Sequence, residues 1–262
     1  MRLSSFLIVS IGIVLMMILP SGVIAQTSGN AGRVWEAAIE AKGGRAALYR
    51  IHSIFMDSTS QSRTISGRPY QHKETAIMVL PFKGWSYTDD RPEVFGETVS
   101  MVNYENMTGY FGGKGNDIFA APLSADEREL KNYQNPTIFY LMESKWLQPK
   151  LLGVKDGVLG KEKVILLETD FDGRRVDFAL NSETFLPSKI TTYEIGTDGV
   201  ARPNELSLTN YVEVDGIKVP GTTRYNKQSP KNLIIRFNID YCPSIFLRAP
   251  AKLGPDAWKL KK

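Results

Sequence analysis

The second half of this 262-residue chain is punctuated at short intervals by Asp-Gly and Asn-containing turns, a spacing that suits antiparallel β-sheet. Asp156-Gly157, Asp172-Gly173, Asn181–Thr184, Asp198-Gly199 and Asp215-Gly216 each fall between runs of alternating apolar and polar residues. An Asp-Gly pair supplies the positive φ of a tight hairpin turn, because glycine lacks the Cβ that resists it. The runs Gly153–Asp156, Lys163–Asp170, Arg175–Leu180, Ser188–Ile195, Leu206–Val214 and Ile217–Asn226 therefore read as strands joined in order. In a further, final strand Leu233, Ile235, Phe237, Ile239 and Tyr241 share one face, against Ile234, Arg236, Asn238 and Asp240 on the other. Val176, Phe178 and Leu180 alternate in the same way against Arg175, Asp177 and Ala179. Only the apolar faces can leave water without a polar penalty.

The first half repeats the pattern after a helical start. Val34, Ala38 and Ala41, with Trp35 and Ile39 alongside, have helical spacing, and Gly43-Gly44 stops them. A polar linker, Gln26 to Asn30, precedes this helix, and a short helix, Arg45 to Tyr49, follows it. Period-two segments then run over Ile51–Thr64, Tyr70–Leu80, Gly84–Thr88 and Glu93–Tyr104. The glycine cluster Gly109–Gly115 reads as a hairpin loop, since it lacks the first glycine and the Ser or Thr of a phosphate-binding loop. Ser124-Ala125-Asp126-Glu127 has capping-box spacing, and Pro136 divides the helical region that follows. The second piece, Thr137 to Leu147, is apolar on nearly every side and must be enclosed or cover something apolar.

About ten or eleven strands joined mainly by short turns must curl to bury their apolar faces. The expected fold is mainly β: a strongly curved antiparallel sheet, an incomplete and half-open β-barrel, with a few helices over its concave side. No internal repeat or low-complexity segment interrupts residues 26–262, which read as a single domain.

Residues 1–25 read as a signal peptide. Arg2 precedes an apolar run from Phe6 to Leu19, Pro20-Ser21-Gly22 breaks it, and Val23-Ile24-Ala25 offers a cleavage site after Ala25. The run falls short of the about 20 apolar residues of a spanning helix. No cysteine near the site could carry a lipid. The expected product is periplasmic or otherwise exported, without a stable membrane span.

The net charge of +4, or +3 without Arg2, is scattered and has no stripe suited to nucleic acid. Cys242 is the only cysteine, which excludes an internal disulfide, and between Tyr241 and Pro243 it reads as a small hydrophobe. The two histidines, His52 and His72, have no metal-ligand spacing; His52 reads as structural or surface, and His72 as solvent-exposed. No Gly-x-Ser-x-Gly elbow is present, and Asp170-Phe171-Asp172-Gly173 lacks the rest of a calcium loop. Asp89-Asp90 is a carboxylate pair with no partner identifiable across a cleft. These readings point away from an enzyme, a metal and a cofactor.

Three segments resemble those of bacterial exported proteins similar to outer-membrane lipoprotein-sorting carriers, the LolA-like family. They are Ala41–Ile54 with its Gly43-Gly44 entry, Lys163–Ile190 with Asp172-Gly173 and Leu186-Pro187, and Tyr211–Pro220 around Asp215-Gly216. The match runs in order over most of residues 26–262, but Gly112 to Trp146 has no alignable motif. The resemblance implies an incomplete barrel with an apolar interior that holds acyl chains without catalysis. The expected cargo is lipid or acylated protein, handled by a monomer, with transient envelope protein partners and a place in outer membrane biogenesis. Candidate cavity-lining residues are Trp85, Tyr87, Ile138, Leu141, Met142, Trp146, Val176, Phe178, Leu233, Ile235, Phe237 and Ile239. The alternative is a structural or protein-interaction module on the same scaffold with a filled interior. Its docking patch would then be exposed, near Trp258 and the Lys259–Lys262 tail.

Overall fold

The computed structural model describes residues 21–64, 66–91, 96–113, 119–120, 123, 134–196, 198–249 and 254–260. Helix α1 (Ser21–Lys42) runs to Gly43 and Gly44, both at positive φ, and α2 (Arg45–Tyr49) follows. The expected linker Gln26–Asn30 lies inside α1. It contains no proline, and its glutamine, serine and threonine are ordinary helix residues once a neighbouring turn nucleates them.

Strands β1 (Ser53–Arg63), β2 (Pro69–Val79), β3 (Lys83–Asp89), β4 (Glu97–Asn103), β5 (Thr108–Gly113) and β6 (Phe119–Ala120) form a first meander. Strands β7 (Lys150–Leu159), β8 (Glu162–Phe171), β9 (Arg174–Asn181), β10 (Pro187–Ile195), β11 (Ala201–Val214), β12 (Ile217–Tyr225) and β13 (Lys231–Phe237) form a second. The two meanders join where β1 pairs antiparallel with β13, giving one sheet of thirteen strands among the described residues. Its edges are β6 and β7, so the sheet stays open.

Several turns fall where glycine and Asx residues place them. Asp172 and Gly173, and Asp215 and Gly216, have positive φ, and Asp170 Oδ1 accepts the Gly173 N–H at 2.7 Å. Two sequence expectations are corrected. Asp156-Gly157 is not a turn: it pairs with Ile165 and Val164, and the reversal comes at Gly160 (φ 64). Gly157 sits in the strand where a Cβ would lie 2.8 Å from the Leu166 side chain, so packing explains the glycine. Nor is Gly109–Gly113 a loop. Gly109, Gly112 and Gly113 lie opposite Val102, Val99 and Thr98, and the turn precedes them at Tyr104–Met107.

The apolar segment after Pro136 is not the helix expected over Thr137 to Leu147. It makes one π-helical turn, Thr137–Leu141, which ends at Met142 with φ 71. Ile138, Leu141 and Met142 are nonetheless fully enclosed. The capping-box serine and acids, Ser124 to Glu127, lie outside the described residues.

A flat sheet of this many strands would be roughly 60 Å wide. A 22-residue helix is only about 33 Å long. One apolar cluster nevertheless joins α1, α2 and the π-turn to residues of β1, β2 and β8 through β13. The sheet wraps around its helical cover, and Trp35 meets Phe178 edge-on at 5.5 Å near the centre. A second cluster lies on the opposite face of the first meander. There Phe55, Ile77, Trp85, Tyr87, Val99, Met101 and Tyr110 are covered by Ile245, Phe246 and Trp258 of the C-terminal segment.

Candidate functional site

The face under α1 and the π-turn is graded along the strands. Cross-strand register sets Phe237, Ile54 and Met78 in one row and Ile235, Met56 and Ala76 in the next. The third row is Leu233, Ser58 and Glu74, and the fourth Lys231, Ser60 and His72. Because side chains alternate between faces, residues two apart on each strand keep to one side. The first two rows are buried and apolar. The last carries two hydrogen-bonding groups and a cation, each partly exposed.

Polar contacts organise the far end. Lys231 Nζ lies 3.0 Å from Glu74 Oε2, and the Ser58 hydroxyl donates to the same oxygen at 3.5 Å. His72 Nδ1 is 2.6 Å from Asp90 Oδ1, which also accepts from the Tyr70 hydroxyl at 3.1 Å. His72 is thus half-buried and paired, not solvent-exposed as its polar neighbours suggest: the alternation turns it toward the covered face while Gln71 and Lys73 point outward.

The cover is tied down by a buried carboxylate. Glu143 accepts from Trp35 Nε1 at 2.8 Å through one oxygen and from Arg45 Nε at 2.6 Å through the other. Arg45 also holds Glu36 in a two-pronged contact, and these two carboxylates raise its already high pKa. The Tyr140 hydroxyl meets Met56 Sδ at 3.2 Å, seating the π-turn on β1.

At the C-terminal end of α1, Lys42 is fully buried. Its ammonium donates to the Lys218 carbonyl oxygen and stands 5.5 Å from the Tyr211 ring. Burial pushes its pKa down to about 7. A Cβ on Gly43 would overlap the Gly216 carbonyl, so this end of the helix fits directly on the β11–β12 turn.

Eight of the sequence-derived lining residues come together on the covered face: Ile138, Leu141, Met142, Val176, Phe178, Leu233, Ile235 and Phe237. Trp85 and Tyr87 lie on the opposite face, and Tyr87 donates to Glu97 there. Ile239 also packs on that side, because the strand ends at Phe237 and Asn238 (φ 50) breaks the alternation. Trp146 is 39% exposed beside Lys145, whose Nζ is 4.2 Å from its ring. Trp258 is buried against Phe55, ring centroids 4.9 Å apart, so its own ring is not part of an exposed docking patch.

The sequence reading missed Glu143, Lys42 and the Glu74–Lys231 pair. Only Glu143 left a signal, a carboxylate in an otherwise greasy run. Among the described residues, no group of three or more His, Cys, Asp or Glu side chains is arranged to hold a metal. No helix there is long and apolar enough to cross a membrane.

No protein-family model and no curated protein matches the chain. Solved structures do. A DUF1329 family protein from Desulfovibrio piger superposes with a TM-score of 0.52 at 12% identity, over 82% of this chain and 96% of that one. A LolA superfamily protein from Nitrosomonas europaea gives 0.52 at 13% identity, over 82% and 96%. The fold is therefore a LolA-like incomplete β-barrel.

Proposed function

We propose that the chain is an exported, non-catalytic carrier that binds lipid or lipoprotein acyl chains in the cell envelope. The observation that carries this reading is the continuous apolar face of the open sheet, roofed by α1 and the π-turn rather than by a second sheet. Each methylene taken from water onto such a face gains about 0.8 kcal/mol, and methionines such as Met56, Met78 and Met142 adapt to chains of different shape. The LolA-like fold and the signal read in residues 1–25 support the same reading, with a monomer released after Ala25. The cover must move for a chain to enter, since Trp35, Ala38 and Ile39 pack directly on the face.

Native mass spectrometry of protein purified from its own host tests this. Retained mass lost on delipidation, together with uptake of a fluorescent fatty acid, is the expected result. Identical masses before and after delipidation, with no uptake, would overturn it.

The close packing under α1 favours a second reading, an interaction module with a filled interior. It predicts that the cover stays shut: amides of α1 exchange hydrogen only on global unfolding, with or without lipid.

A further inference from the structure

We propose that the polar end of the covered face is a headgroup subsite that selects a zwitterionic amphiphile. The inference rests on the carrier reading and adds which end of the cargo is read, and by what. The rows change from apolar to polar within two register steps, about 14 Å along the strands at the usual rise. A chain lying along β1 over Met56 therefore brings its head to Ser58 and Ser60.

What stands there is two polar pairs, in which donor and acceptor groups alternate. Lys231 is paired with Glu74 at 3.0 Å. His72 is paired with Asp90 at 2.6 Å. Ser60 faces Lys231 on one side and His72 on the other. A purely anionic head placed between the pairs meets the Glu74 and Asp90 carboxylates, and a purely cationic head meets Lys231. A head with both an ammonium and a phosphate gives each side a partner. The pairs are only partly exposed, so a head seated there has less water to compete with than one on the open surface. Elsewhere on this face the neighbouring strands β3 and β4 offer hydroxyls, such as Ser86 and Ser100 bonded at 2.7 Å, and no charge pair.

The test compares three single-chain amphiphiles of equal length, each below its micelle concentration, by titration calorimetry on the delipidated full chain. They are a lysophosphatidylethanolamine, a fatty acid and a fatty alcohol. The wild type is expected to bind the zwitterion about tenfold or more tighter than either of the others, the scale of one charge-assisted hydrogen bond. Lys231→Met with Glu74→Gln should bring the three within about twofold of one another while leaving the alcohol's affinity in place. His72→Gln, a smaller change that keeps the Lys231–Glu74 pair, should reduce the preference partway, and it serves if the double variant fails to fold. Equal affinities of the wild type for all three would overturn the subsite and leave the carrier reading standing. Binding of none of them would overturn both.

Discussion

Trp35 Nε1 donates to Glu143 Oε2 at 2.8 Å across 108 residues of sequence, joining α1 to the segment that follows the π-turn. The Arg45 guanidinium occupies the other oxygen. Replacing Glu143 by Ala strands a buried indole N–H and half-frees an arginine, and should cost about 2–4 kcal/mol in urea unfolding. Glu143→Gln keeps the shape and should cost about 1–2 kcal/mol, as should Trp35→Phe. If the double variant Trp35→Phe, Glu143→Gln shows fully additive losses, the two side chains are not coupled as described.

Lys42 makes stability depend on pH in an unusual direction. Its folded pKa is near 7, whereas the unfolded chain holds the proton to about 10.4. Between those values the unfolded state binds more protons, so stability should rise with pH, with a limiting slope of about 1.4 kcal/mol per unit. Below pH 7 both states are charged and this slope vanishes. Above about pH 10 the tyrosines reverse the trend: burial raises Tyr211, and Tyr193 is pushed up to about 12. Urea midpoints measured from pH 6 to 9.5 should climb for the wild type. For Lys42→Met they should be flat over that interval and higher at pH 7.

Two glycines of the α1 region should respond oppositely to alanine. Gly43 has φ 124, and its Cβ would collide with the backbone of the β11–β12 turn. Gly43→Ala should cost about 2–4 kcal/mol. Gly32 is mid-helix with open space around a Cβ. Gly32→Ala should stabilise by about 0.5–1 kcal/mol. Thermal unfolding of the two variants checks both signs at once.

The C-terminal segment is a strap over the outer face of the first meander. Asn103 Nδ2 and the Tyr110 hydroxyl bond to the Phe246 and Ile245 carbonyls at 3.2 and 3.0 Å, and Phe246 itself is buried. Phe246→Ala should cost about 3–5 kcal/mol. It should also raise binding of a hydrophobic fluorescent dye under native conditions, as Trp85 and its neighbours lose their cover. No rise in dye binding would mean the strap holds without its phenylalanine.

The run of hairpins in the second meander was legible because Asx-Gly steps such as Asp172-Gly173 and Asp215-Gly216 announce their own backbone geometry. Asp156-Gly157 misled because glycine has two uses: there it makes room for Leu166 rather than for a turn. The grouping of Val176, Phe178, Leu233, Ile235 and Phe237 followed from period two. The side chosen by Trp85 and Tyr87 did not, because alternation says which residues share a face and not which face is the inner one. In β1 and β2 both faces carry buried apolar residues, and on β3 only the outer face does, so apolar character gave no hint of which face was the inner one. Lys42 and the Glu74–Lys231 pair were hidden for a different reason. Each depends on strands or helix ends brought together from distant parts of the chain, and a charged residue in sequence looks the same whether it ends in water or under a helix.

The union of β1 with β13 places the first and last strands side by side in the middle of the sheet, with the edges supplied by the middle of the chain. At its lower end the His52 N–H reaches the Asn238 side chain, 186 residues away. A chain that appears N-terminus first holds one flank of β1 bare until nearly its last strand has arrived. Neither meander can seal the apolar face for the other in the meantime, so the contact of longest loop closure is also the one that completes the fold.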